Sequence, residues 1–161
     1  MKYVYYYETK IGRVVIAEDG HGITDLSITE ELHKDENEIQ LEETERIKEA
    51  AQQFYEYLEG KRKIFQLSLN PAGTPFQKRV WEALVQIPYG ETRSYKQVAE
   101  AVGNPKACRA VGMANHFNPI MCIIPCHRVI GANKKLVGYA GGLHIKELLL
   151  NLEMEGNERY E

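Results

Sequence analysis

In the run Ile124-Pro125-Cys126-His127-Arg128-Val129 a thiol stands beside an imidazole and a guanidinium, with apolar residues on either side. A thiol is a nucleophile only as its thiolate, and a neighbouring base or cation is the usual means of producing one near neutral pH. The segment therefore has the composition of a reactive cysteine site. Adjacent side chains of an extended chain point to opposite faces, so His127 needs a relay to act on Cys126. Two metal chemistries are weighed against this. Three residues separate Cys122 from Cys126, whereas a c-type haem attachment has two. A zinc site would need Cys108, His116 or His144 to complete four ligands, without the usual paired sets. A packing role for the thiol is the remaining alternative on composition alone.

The elements that must hold this segment come from a chain of 161 residues with 43% hydrophobic content, enough for one compact domain or two small ones. No apolar run is long enough to span a bilayer, and Met1-Lys2-Tyr3-Val4-Tyr5 lacks the apolar region of a secretory signal. The expectation is an intracellular protein with no membrane partner. An odd count of three cysteines, all between 108 and 126, argues against a disulfide framework and fits a reducing compartment. The net charge of −3 is not that of a generally basic nucleic-acid binder. Residues 1–72 carry 9 Lys+Arg against 15 Asp+Glu, and residues 73–161 carry 11 against 8. A nucleic-acid site would thus be confined to the second half, although uneven surface charge accounts for the split equally well.

Three β-branched or aromatic segments, Tyr3 to Glu8, Arg13 to Glu18 and Gly22 to Ile28, are separated by Gly12 and Asp19-Gly20 and predict an antiparallel meander. From Leu41 to Leu58, Ile47, Ala50, Ala51, Phe54, Tyr57 and Leu58 recur at helical spacing, with Gly60 just beyond the end, so this helix should cover one sheet face. The acidic stretch from Glu30 to Glu45 reads as a solvated loop and helix start. Turn formers from Asn70 to Pro75 mark a boundary dividing the chain into 1–72 and 73–161. Thr74-Pro75 then opens a helix carrying Phe76, Val80, Leu84 and Val85, ended by Ile87-Pro88-Tyr89-Gly90. Ser94 caps a helix through Val102, and Gly103-Asn104-Pro105 breaks it before a second from Lys106 to Asn115. This pair predicts a helix-turn-helix, a motif also found in proteins that never touch DNA. A last helix spans Leu143 to Glu155, after the Gly138-Tyr139-Ala140-Gly141-Gly142 loop.

Pro125-Cys126-His127-Arg128-Val129 resembles the active-site signature of the O6-alkylguanine-DNA alkyltransferases, also called methylated-DNA–protein-cysteine methyltransferases. Arg109-Ala110-Val111-Gly112 and Asn118-Pro119 before it, and Gly138 to Leu143 after it, extend the resemblance in register from Phe76 to Glu153. Residues 1–72 match more loosely, as a small ribonuclease-H-like domain. The implied fold is α+β: that domain, with an antiparallel sheet, precedes a mainly helical domain over 73–161 holding the helix-turn-helix and the active-site cysteine. The implied activity is DNA repair. The alkyl group of O6-alkylguanine in double-stranded DNA passes irreversibly to Cys126 after base flipping, once per molecule, with O4-alkylthymine left open as a further substrate. No cofactor and no metal are implied, and the expected setting is a monomer in a bacterial or archaeal cytoplasm.

By position in that family, Cys126 is the acceptor, His127 the base acting through a water, and Glu153 the carboxylate that orients the imidazole and raises its proton affinity. Tyr95 would contact the extrahelical nucleotide and protonate the leaving guanine near N3. Arg109 would enter the base stack in place of the rotated nucleotide. Asn118 would tie the helix-turn-helix to the active-site loop. Ser94, Tyr95, Lys106, Ala107 and Arg109 form the implied DNA-binding set, with Lys78 and Lys96 as further backbone contacts. The carbonyls of Cys126 and Val129 would accept from the guanine amino group, with Tyr139 in the pocket and the Ala140 amide facing O6. The chain departs from the family pattern in places. Ala140 stands where Ser is frequent, so only a backbone role carries over. His116 replaces a basic residue, and His21 and His33 read as ordinary surface histidines rather than zinc ligands. Rival readings are an alkyltransferase-like lesion sensor, which would lack the acceptor that Cys126 supplies, a helix-turn-helix transcription regulator, and a thiol hydrolase.

Overall fold

The computed structural model describes residues 1–30, 38–131 and 142–160, the last four by backbone alone. It divides the chain into two compact units, Met1–Ala72 and Gly73–Glu161. In the first, β1 (Lys2–Thr9), β2 (Gly12–Glu18) and β3 (Ile23–Ile28) pair antiparallel, and β4 (Ile39–Leu41) joins β1 in parallel to give the order β3-β2-β1-β4. Strand β4 corrects the reading of Glu30 to Glu45 as loop and helix start. Three residues are too few to show an alternation in sequence, and the strand exists because the β1 edge supplies its hydrogen bonds.

Strand β2 is buried on both faces. Val14 and Ile16 face one side with α1 (Glu45–Leu58), whose Ile47, Ala50, Phe54 and Tyr57 are fully buried. Val15 and Ala17 face the other, where Val4, Tyr6 and Ile39 complete a smaller cluster. Helix α1 starts at Glu45 rather than Leu41 because the Thr44 hydroxyl accepts from Ile47 N at 3.2 Å and fixes the cap there.

The second unit opens with α2 (Pro75–Val85), where Thr74 and Gln77 form a reciprocal capping box and Pro75 takes the first helical position. Ser94 and Gln97 repeat that box at α3 (Tyr95–Ala101). A Schellman turn ends α3: Gly103, at φ +82°, donates to the Glu100 carbonyl at 3.0 Å, and Asn104 N donates to Ala99 at 2.9 Å. Helix α4 (Cys108–His116) starts two residues later than Lys106, because Ala107 N closes a turn onto Asn104 O at 3.0 Å. Val98, Ala99, Val111 and Ala114 are buried in this helix pair, and the Trp81 indole of α2 donates to the Ala114 carbonyl at 2.8 Å. A two-residue strand β5 (Arg93–Ser94) pairs in parallel with β6 (Val129–Ile130).

Helix α5 (Leu143–Tyr160) runs beyond Glu155, through Gly156. That glycine is a packing residue rather than a stop, since a Cβ built there would lie 3.1 Å from Tyr89 Cζ. No helix among the described residues is long and apolar enough to cross a membrane.

The space around Gly103 is open to a Cβ, so a side chain there meets only the left-handed backbone penalty. Gly103→Ala should therefore lower stability by about 1 kcal/mol in urea unfolding. Gly103→Asn, whose side chain tolerates this conformation, should lose less.

Candidate active site

Three pieces of the second unit meet at Cys126: the start of α3, the 125–129 segment and α5. The β5–β6 pairing sets Arg93 against Val129 and Ser94 against Ile130, which brings Tyr95, the first residue of α3, beside the cysteine segment. Pro125, at φ −80° and ψ 64°, makes an inverse γ-turn closed by Cys126 N onto Ile124 O at 2.8 Å. Arg128 N then bonds Pro125 O at 3.0 Å and winds Cys126–Arg128 into one 3-10 turn. Successive side chains in such a turn diverge by about 120°, so Cys126 and His127 point apart although they are neighbours. Cys126 is 4% exposed.

His127 and Glu153 are almost completely buried, and His127 Nε2 lies 2.5 Å from Glu153 Oε2. Arg128 grips the same carboxylate with a fork, Nε to Oε1 at 2.8 Å and Nη2 to Oε2 at 3.1 Å. Gly90 N adds a third donor to Oε1 at 3.1 Å. The guanidinium is anchored in turn by the Ile87 carbonyl at 2.7 Å and lies 5.7 Å from the Tyr89 ring centroid. Burial alone would raise the Glu153 pKa, but the hydrogen bonds and charges of His127 and Arg128 override it and hold the group at about 2. Glu153 is therefore ionised. As an ionised carboxylate can only accept, the His127 Nε2 carries the hydrogen and Nδ1 the lone pair.

Glu153 does pull the proton affinity of His127 upward, as expected, but it does not decide the state of the ring. Burial lowers the His127 pKa and outweighs the upward pull of Glu153, with the Arg128 and Lys146 charges acting in the same direction as burial. The imidazole is neutral and able to take a proton at neutral pH. Arg128 directs its charge to Glu153 rather than to the adjacent thiol.

Two family models together match most of the chain: 6-O-methylguanine DNA methyltransferase, ribonuclease-like domain, over residues 1–71, and 6-O-methylguanine DNA methyltransferase, DNA binding domain, over residues 75–155. The chain belongs to the 6-O-methylguanine DNA methyltransferase family. Among relatives in this family, the methylated-DNA–protein-cysteine methyltransferase of Methanosarcina acetivorans is 51% identical over 148 residues, covering 91% of this chain and 95% of the relative. The constitutive enzyme of that name from Bacillus subtilis is 49% identical over 158 residues, covering 95% of this chain and 96% of its own. Among solved structures, Mycobacterium tuberculosis OGT in complex with DNA superposes with a TM-score of 0.87 at 42% identity, covering 96% of this chain and 94% of that one.

The other residues expected from the 6-O-methylguanine DNA methyltransferase resemblance fall in distinct places. Asn118 braces the loop ahead of Cys126, its Nδ2 donating to Ile124 O at 2.8 Å and its Oδ1 accepting from Ile120 N at 3.0 Å. Arg109 and Lys106 are exposed at α4 and the turn before it, with Ala107 half-buried at the helix start. The Ser94 hydroxyl is engaged in capping, accepting from Gln97 N at 3.1 Å. Tyr139 and Ala140 lie outside the described residues. The Cys126 carbonyl already accepts from Val129 N and from Asn115 Nδ2, and the Val129 carbonyl from Lys146 Nζ at 2.6 Å. Cys122, buried at φ +67°, has its pKa pushed well up by burial and stays a thiol. Among the described residues no three His, Cys, Asp or Glu side chains converge to hold a metal ion.

Sequence reasoning missed Asn115 and Lys146. Lys146 is fully buried, and burial lowers its pKa to about 8 against an upward pull from Cys126. A signal was present: Lys146, Leu149 and Glu153 share one helical face of α5, and Leu149 marks that face as buried.

Both shifts make the folded chain bind fewer protons in acid than the unfolded chain, so stability rises with pH through these windows. Stability should fall as pH drops below His127's ordinary 6.5, and again between Glu153's ordinary 4.5 and about 2. Urea midpoints across pH should show the first loss diminished in His127→Gln. Arg128→Met, which strands the buried carboxylate, should cost about 3–5 kcal/mol.

Proposed function

We infer that the protein repairs DNA by moving the alkyl group of O6-alkylguanine in duplex DNA onto its own Cys126. Its partner is DNA, and its relatives carry the name methylated-DNA–protein-cysteine methyltransferase. The observation that carries the residue-level reading is the buried His127–Glu153–Arg128 cluster, directly after a cysteine in a turn that aims the two neighbouring side chains apart. It supports a neutral base whose product, an imidazolium, meets an ionised carboxylate already in place.

In this reading Arg109 on α4 fills the stack while the lesion nucleotide rotates out. The Cys126 proton leaves through a water to His127 Nδ1, and the sulfur attacks the alkyl carbon from the side opposite O6. The carbon–oxygen bond breaks, its electron pair stays on the purine, and Tyr95 supplies a proton near N3. The thioether is stable, so the protein acts once, as a monomer in the cytoplasm and without a cofactor.

An oligonucleotide duplex with one labelled O6-methylguanine tests this. The expected result is covalent label on Cys126 to a limit of one per chain, abolished in Cys126→Ala. Multiple turnovers support a hydrolase, and tight binding without transfer supports a regulator. His127→Ala and Glu153→Gln should slow transfer by about 100-fold or more with little change in DNA affinity by gel shift. Arg109→Ala should weaken reaction on duplex more than reaction with the free modified base; equal loss on both removes the base-rotation role.

A further inference from the structure

Asn115 lies on α4, 3% exposed, next to the Ala114 whose carbonyl receives the Trp81 indole. Its Nδ2 donates to the Cys126 carbonyl at 3.3 Å. A carbonyl can only accept, so this contact fixes which end of the carboxamide faces Cys126. The same carboxamide hydrogen-bonds the Tyr95 phenol, whose ring also reaches α4 at Gly112, where a Cβ would lie 3.9 Å from Cε1. The Asn115 Oδ1, by contrast, is buried without a hydrogen-bond partner among the described residues. An orphaned buried acceptor destabilises a fold, and a leucine of similar size would serve packing better. The position makes sense for its NH2 group, whose two hydrogens match two acceptors, the Cys126 carbonyl and the Tyr95 oxygen.

We propose that Asn115 is a positioning residue for protonation of the departing guanine: by occupying a lone pair of the Tyr95 oxygen it turns the phenolic hydrogen toward the base, while its second hydrogen holds the backbone of the nucleophile. The proposal rests on the reading of Cys126 as acceptor and Tyr95 as donor. In the step, the sulfur–carbon bond forms as the carbon–O6 bond breaks, the electron pair remains on the purine, and the Tyr95 proton passes to it. Tyr95 is briefly a phenolate, and an N–H donated to an anion is about twice as strong as one donated to a neutral oxygen. Burial raises the Tyr95 pKa and the charge of Cys126 adds to it; the Asn115 hydrogen bond is the influence acting the other way. The proton taken from the Cys126 thiol restores the phenol, so thiol and alkylguanine become thioether and guanine.

The test compares two electrophiles on Asn115→Leu. O6-methylguanine DNA expels a guanine that must be protonated, whereas iodoacetamide expels iodide, which needs no proton. Alkylation is read by peptide mass at Cys126, because Cys108 is the more exposed of the two thiols. Transfer from DNA should fall about tenfold or more, a part of the general-acid contribution, and by clearly more than the iodoacetamide rate at Cys126, which reports only the lost hold on the Cys126 carbonyl. In a Tyr95→Phe background the Asn115→Leu loss on DNA should shrink to the loss seen with iodoacetamide. Equal loss on both electrophiles, or full additivity with Tyr95→Phe, overturns the proposal and leaves the transferase reading standing. Wild-type protein that takes iodoacetamide but no alkyl group from DNA overturns that reading, and the proposal with it. Should fluorescence of Trp81, the single tryptophan, report misfolding of the leucine variant, Asn115→Ala gives the same comparison without added bulk.

Discussion

A carboxylate buried in the second unit must be neutralised, and the way Glu153 meets that requirement organises the site around Cys126. An isolated buried charge is expensive. Here the Arg128 fork and the Gly90 amide satisfy Glu153, and His127 completes its shell. Because burial outweighs the pull of Glu153 and the Arg128 charge acts with it, the imidazole is left neutral, with one tautomer set by the carboxylate. An imidazole that is neutral at rest and faces a ready-made anion is suited to accepting one proton. The same cluster fixes α5 to the cysteine turn, so chemistry and local folding share one set of contacts.

The remaining polar groups arrange the surroundings of the sulfur. The β5–β6 pairing is only two residues long, yet it sets the start of α3 beside the cysteine segment. Asn118 braces the approach to the turn from one side, and Asn115 reaches its carbonyl from the helix-turn-helix. Lys146 holds the Val129 carbonyl. The backbone around Cys126 is thus held by side chains from α4 and α5, which limits how far its sulfur can drift.

Much of this was legible in the sequence because local signals and chemistry coincided. Thr74-Pro75, Ser94 and Gly103 declared the helix boundaries through capping and a left-handed turn, and the Cys-His-Arg adjacency pointed to the candidate site. Strand β4 was hidden because its three residues owe their conformation to β1 rather than to their own pattern. The continuation of α5 past Glu155 was hidden as well, since sequence does not reveal Tyr89 packed against Gly156. The partner of Arg128 was equally hidden: adjacency suggested a cation for the thiol, and only the fold turns the guanidinium toward Glu153. The balance of burial against ion pairing at His127 has the same character, since desolvation depends on everything packed around the ring.

The most direct test of this account is nitrogen-15 NMR of the His127 side chain, assigned by its loss in His127→Gln. The account predicts a neutral imidazole at neutral pH, with the hydrogen on Nε2, the lone pair on Nδ1, and a pKa below the ordinary 6.5. An imidazolium at neutral pH, or the opposite tautomer, would contradict it.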